Sequence, residues 1–152
     1  MQYKNFKLIV FCSVLSLLSH AHAFLSTSEI IVKLGQYNLF DDSQLGEMGE
    51  IEKNEYGYPA WAATFSIVQN SDLASEDQVD AYAYLIALGI AQTNERDSAL
   101  NAMIDYWLKQ IKHLETEGCS PRNLSINDME SEFKARSNPS SPATSGENPP
   151  RD

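Results

Sequence analysis

Cysteine is scarce in this chain: its 152 residues carry Cys12 and Cys119 and no others. That excludes a disulfide-dense scaffold and leaves stability to a packed core. Basic residues are also few. Eleven Lys and Arg stand against 21 Asp and Glu, a formal net charge of −10. Nucleic-acid binding needs a basic surface to meet phosphates, so this balance excludes a nucleic-acid partner. Histidine occurs at three positions, His20, His22 and His113. The longest apolar run, Leu8 to Leu18, is 11 residues. At about 1.5 Å of rise per residue it cannot cross a hydrocarbon core of roughly 30 Å. At this length one domain is expected.

What is present at the N-terminus is an address. Lys4 and Lys7 precede the apolar run, no acid occurs before Glu29, and Ala21-His22-Ala23 follows. This is the order of a secretory signal peptide, with cleavage predicted after Ala23. Cys12 lacks the preceding small residues of a lipoprotein site. Removing residues 1–23 takes away two Lys, Cys12, His20 and His22. The mature chain then carries −12, one thiol and one histidine, and no internal disulfide can form. The short n-region and the lack of cysteine pairs predict a bacterial periplasmic or secreted protein, with no stable membrane insertion after cleavage. Asn123-Leu124-Ser125 is a formal glycosylation triplet, relevant only in a eukaryotic secretory route.

The C-terminal stretch from Ser137 to Asp152 holds four of the six prolines and no large apolar residue. It cannot bury enough surface to offset its ordering entropy, which predicts a disordered tail. Between these ends, apolar residues recur with helical period. Trp61, Phe65 and Val68 mark a helix over 59–69, with Pro59 in the first turn. Val79, Tyr82, Ile86, Leu88 and Ile90 form one broad face of a helix over 77–92, preceded by a Ser75–Gln78 capping box. Leu100, Met103, Ile104, Trp107, Leu108, Ile111 and Leu114 stripe a third helix over 95–117, capped by Asn94 and stopped by Gly118. Ser125 with Asp128 opens a short helix over 126–136, with Met129 and Phe133 as its apolar pair. Ile30, Ile31, Leu34 and Tyr37 favour a helix over 28–40. Residues 41–58 are acidic and glycine-containing and read as loop, with room for a short helix near 45–52.

The stretch 57–92 has a further pattern. Gly57-Tyr58-Pro59-Ala60-Trp61 opens the first helix, and Asp77-x-Val79-x-Ala81-Tyr82-x-Tyr84-Leu85-x-x-Leu88 opens the second. This resembles a Sel-one-like repeat, a relative of the tetratricopeptide repeat, built from helix pairs of about 36 residues. The inter-helix turn departs from the family's glycine-rich form and reads Asn70-Ser71-Asp72-Leu73-Ala74-Ser75. One repeat is recognisable, so the flanking helices must cap it. The resemblance implies an all-α, antiparallel helix-hairpin bundle of about four to five helices, and a scaffold rather than an enzyme.

Candidate chemistry is sparse. Asp41, Ser43, Gly46 and Glu52 fall at positions one, three, six and twelve of a calcium loop, but Leu45 occupies the fifth and offers no side-chain oxygen. Asp77 and Asp80 are a carboxylate pair open to a hydrolase reading, yet their place near a helix N-terminus suits capping better. His113 and Glu117 share a helix face, two ligands where a metal needs three or four. Cys119 follows a helix C-terminus, whose dipole raises a thiol pKa and opposes nucleophilic use. No catalytic residue, cofactor or metal is expected.

The aromatic residues are the better lead. Tyr82 and Tyr84 project differently from one helix, as do Tyr106 and Trp107, so one of each pair is expected in the core and the other at a groove. Trp61, Tyr82, Tyr84 and Trp107 are the groove candidates. The expected function is an exported, non-catalytic helical adaptor. Its acidic surface favours a protein partner with a basic face.

Overall fold

A computed structural model describes residues 24–51, 57–93 and 97–138. The predicted signal peptide and the predicted tail beyond Asn138 lie outside the described residues. So do Glu52, the last residue of the calcium-loop pattern, and Asn94, the expected cap. Among the described residues all regular structure is helical: α1 (Thr27–Gly35), α2 (Asp42–Met48), α3 (Gly57–Gln69), α4 (Ser75–Gln92), α5 (Ser98–Thr116) and α6 (Ile126–Ser137). None of these helices is long and apolar enough to cross a membrane.

The first helix is shorter than the sequence suggested. Ser26 caps α1 by accepting from the Glu29 N–H. The helix stops at Gly35, where the N–H groups of Gln36, Tyr37 and Asn38 each fold back onto a carbonyl three residues earlier. Asn38 takes φ 57°, a left-handed conformation that Asn tolerates. This reversal buries Phe40 and delivers Asp41 to the start of the next helix.

That next helix occupies much of the expected loop. Asp41 accepts from the Gln44 N–H at 2.8 Å, and the Gln44 side chain accepts from the Asp41 N–H at 2.9 Å. The reciprocal pair is a capping box, so Asp41 starts a helix here. Helix α2 starts three residues before the 45–52 span suggested for it and ends at Met48, halfway through that span. Its end is held from a distance. The Gln92 amide donates to the Met48 carbonyl and accepts from the Ile51 N–H, both at 2.7 Å.

Helix α4 is the axis of the fold. Helices α1, α3, α5 and α6 all pack against it. From Val79 to Ile90 every residue except Tyr82 is buried. The single apolar face expected from the sequence therefore extends all the way round, as a helix enclosed by neighbours requires. The expected capping box also differs. Ala74 is the N-cap and makes no side-chain bond, while Ser75 is already helical. Gln78 instead donates to the Val68 and Ser71 carbonyls at the end of α3, joining the Ser71 N–H and hydroxyl that also donate to Val68. Glu76 and Asp77 supply negative charge to the first turn of α4.

Helix α3 runs antiparallel to α4: Val68 meets Gln78 at one end, and Trp61 meets Leu85 at the other. Helix α5 begins one turn later than expected, because Asp97 caps it by accepting from the Leu100 N–H at 3.0 Å. It ends at Thr116, and Gly118, the expected stop, takes a φ of 89° that allows the Cys119 N–H to reach the Leu114 carbonyl. Ser125 caps α6 as expected, and Met129 and Phe133 are buried. Helix α6 continues to Ser137, one residue into the predicted tail.

Gly89 shows how closely the helices approach. A Cβ there would lie 2.8 Å from Cζ2 of Trp61 and 3.1 Å from Cγ1 of Ile104. Gly89→Ala is expected to overpack this contact by about 1–3 kcal/mol. The gain in helix propensity returns only about 1 kcal/mol. The denaturation midpoint should therefore fall, and fall further for Gly89→Val; an unchanged or raised midpoint in urea unfolding would contradict the close packing.

Candidate functional site

The four groove candidates separate into two buried and two at the surface. Trp61 is fully buried, and its indole N–H donates to the Leu85 carbonyl at 2.9 Å. Tyr84 is buried beside Asn123, which hydrogen-bonds its side chain. Neither lines a groove. Each projects from the side of its helix that faces a packed neighbour, and each phenol or indole has found a partner there. Tyr82 and Trp107 remain half-buried and do line a concavity.

That concavity has a volume of about 320 Å³, at the small end of ligand pockets, which span roughly 300–1,000 Å³. Tyr82 and Ile86 come from α4, Trp107, Gln110 and His113 from α5, and Gln69 from the end of α3. Its aromatic wall is ordered by Phe65. Trp107 stacks on Phe65 at 3.7 Å between centroids and 6° between planes. Tyr82 lies parallel to Phe65 at 6.1 Å and 10°. Trp61 meets Phe65 edge-on from the core side. The groove rings are thus anchored to the centre of the molecule through one buried ring. Tyr106, 55% exposed, stands at 79° to Trp107 and completes a corner. Sequence reasoning placed only one of Tyr106 and Trp107 at the groove; both line it. Burial pushes the Tyr82 phenol above its usual pKa.

A second constellation is polar. Asp80 is buried, and Arg122 engages it three times. The Arg122 backbone N–H donates to Oδ1 at 2.7 Å, while Nε and Nη2 reach Oδ2 at 2.8 Å and 2.7 Å. Asp77 accepts from Nη2 at 2.6 Å, and Glu76 from Nη1 at 3.3 Å. The bonds from Asp80 and Asp77 raise the guanidinium's already high pKa. Both carboxylates of the hydrolase reading are thus committed to one guanidinium that ties the α5–α6 connection to α4. Arg122 was not singled out in the sequence, because a partner 42 residues away leaves no local pattern. Tyr37 lies in the same region. Burial, reinforced by the charge of Asp80, pushes its phenol up to about 12.

The remaining candidates are dispersed. The His113 ring lies 3.3 Å from Glu117 on the exposed surface. Cys119 is half-buried in the turn after α5. Asp41 and Ser43 belong to a capped helix instead of a loop wound about one point. Among the described residues no group of three or more His, Cys, Asp or Glu is placed to hold a metal ion.

Two outcomes follow. The clasp should weaken in order of burial: Asp80→Ala lowers the urea midpoint most, Asp77→Ala less and Glu76→Ala least. Arg122→Lys should recover only part of the loss in Arg122→Ala, because an ammonium cannot make the paired contacts. A different order would show that the clasp is not what holds the α5–α6 connection. Alkaline stability tests Tyr37. Its folded pKa lies above the unfolded value near 10, so the native state holds more protons between about pH 10 and 12, and stability falls as pH rises through that window. Tyr37→Phe should reduce this fall in urea midpoints measured at pH 9 and pH 11.5. Equal slopes in the two proteins would contradict the assignment. Comparison with protein-family models, curated proteins and solved structures finds no match.

Proposed function

We propose that this chain is an exported, non-catalytic helical adaptor of the bacterial envelope. Residues 1–23 direct export, and α3 with α4 form one Sel-one-like helix hairpin within an all-α bundle. The groove formed by Tyr82, Tyr106 and Trp107 is the docking site for a protein partner. The observation that carries this reading is the aromatic stack: Tyr82 and Trp107 lie parallel to buried Phe65 and still reach the surface. Rigid aromatic rings give large contact area at low entropic cost, as interface anchors require.

Charge adds the partner's chemistry. Residues 24–80 hold 11 acids against Lys33 and Lys53. That excess of acid over base favours a partner with a basic face. The commitment of Asp77 and Asp80 to Arg122 leaves the hydrolase reading without an observation in its favour. The capped helix at 42–48 leaves the calcium reading in the same position.

Tyr106 is exposed enough that its truncation should change stability by no more than about 0.5 kcal/mol. Affinity capture from envelope extracts with Tyr106→Ala and Trp107→Ala proteins tests the groove. Loss of the captured partner by about tenfold, at an unchanged melting temperature for Tyr106→Ala, is the expected result. Undiminished capture by both folded variants would remove the groove from the interface.

A further inference from the structure

We infer that the aromatic groove is an organic-cation site, and that the anchor a partner seats in it is an arginine side chain. The inference rests on the docking role proposed above and names the chemistry of what docks. Three observations meet.

The first is the arrangement of the rings. Trp107 and Tyr82 lie at 6° and 10° to Phe65, so the two groove rings are close to parallel. Tyr106 stands at 79° to Trp107. Ring planes of both orientations therefore line one concavity. The negative face of an aromatic ring attracts a cation held within about 6 Å of its centroid. Buried Phe65 occupies one face of Trp107 and fixes its plane, while Tyr106, 55% exposed, brings an open ring.

The second is the rest of the lining. Its polar groups are the side-chain amides of Gln69 and Gln110 and the His113 ring, and its apolar groups include Ile86 and Leu114. Each amide oxygen can accept from a guanidinium N–H. Arginine carries five such donors in a plane that stacks on an aromatic face, and its stem packs on apolar neighbours. The compact, strongly hydrated ammonium of lysine matches the flat rings and the amides less well.

The third is charge. Among the described residues no Lys or Arg lines the groove. The bases of α5 outside it are paired with acids: Lys109 with Asp105 at 2.8 Å, and Lys112 with Glu130 at 2.5 Å. Glu117, 3.3 Å from the groove-lining His113 ring, brings a carboxylate to the edge. A chain of net charge −10 adds a general attraction for a cation.

The two tryptophans make the test direct, because nitrogen-15 spectra of the whole chain show only two indole N–H signals. Trp61, locked onto Leu85 in the core, is the internal control. Titration with N-acetyl-arginine amide at neutral pH should move the Trp107 signal saturably and leave Trp61 in place. N-acetyl-citrulline amide has nearly the same shape without the charge and should bind about tenfold more weakly, with N-acetyl-lysine amide between the two. Tyr106→Ala should lose about tenfold in arginine affinity, and Tyr106→Phe, which keeps the ring, should lose little. An unmoved Trp107 signal overturns the proposal, as does citrulline binding as tightly as arginine. Lysine binding more tightly than arginine overturns the choice of anchor. Equal losses in Tyr106→Phe and Tyr106→Ala assign the contact to the hydroxyl and overturn the seat on the ring. The two readings fail separately. Capture that depends on Tyr106, with no arginine response at Trp107, leaves the docking role standing and removes the cationic anchor. An arginine response with capture independent of Tyr106 keeps the cation seat and removes the protein partner from it.

Discussion

The burial of α4 on every side is the constraint on which the rest depends. A helix enclosed by four others can expose neither an apolar stripe nor a polar one. Its neighbours must come close, which explains the run of Ala81, Ala83, Ala87 and Gly89 among its larger residues. Its one half-exposed aromatic, Tyr82, marks where the enclosure opens, and the groove lies there. The surface feature is thus a by-product of how the central helix is covered.

Enclosure also changes what polar residues must do. Buried polar groups need partners, and here those partners come from distant parts of the chain. Asp80 sits inside the fold and is answered by Arg122. Gln92 leaves the last turn of α4 to close the end of α2, and Gln78 leaves the first turn to close α3. Arg136 reaches back from α6 to a carbonyl near the end of α4. Among the described residues no buried side-chain nitrogen or oxygen lacks a partner. The polar residues of α4 and its neighbours act as links between helices more than as a coat.

Much of this was legible in sequence where the signal is local. The periods of α3, α4, α5 and α6 gave helices within a few residues, and Ser125 and Gly118 marked ends that the structure reproduces. The misreadings share a cause: one residue type serves two local purposes. Ser75 and Gln78 match a capping box, but the glutamine amide reaches across to the Val68 and Ser71 carbonyls where α3 ends. Asp41 matches both a calcium ligand and a helix cap, and Gln44 three residues on decides for the cap. At the groove, periodicity placed Tyr82 and Trp107 on plausible faces. It could not show that Trp61 and Tyr84 point inward, because that depends on which helices lie opposite. Arg122 was invisible for the same reason.

The clasps around α4 also bear on cooperativity. Ile51 with Gln92, Asp80 with Arg122 and Ala91 with Arg136 are separated by 41, 42 and 45 residues. Each joins residues some forty positions apart, so each carries the entropy cost of closing a long loop. A nick or truncation on either side of α4 would therefore remove a partner from the central helix itself, and fragments of this molecule should not behave as independent folding units.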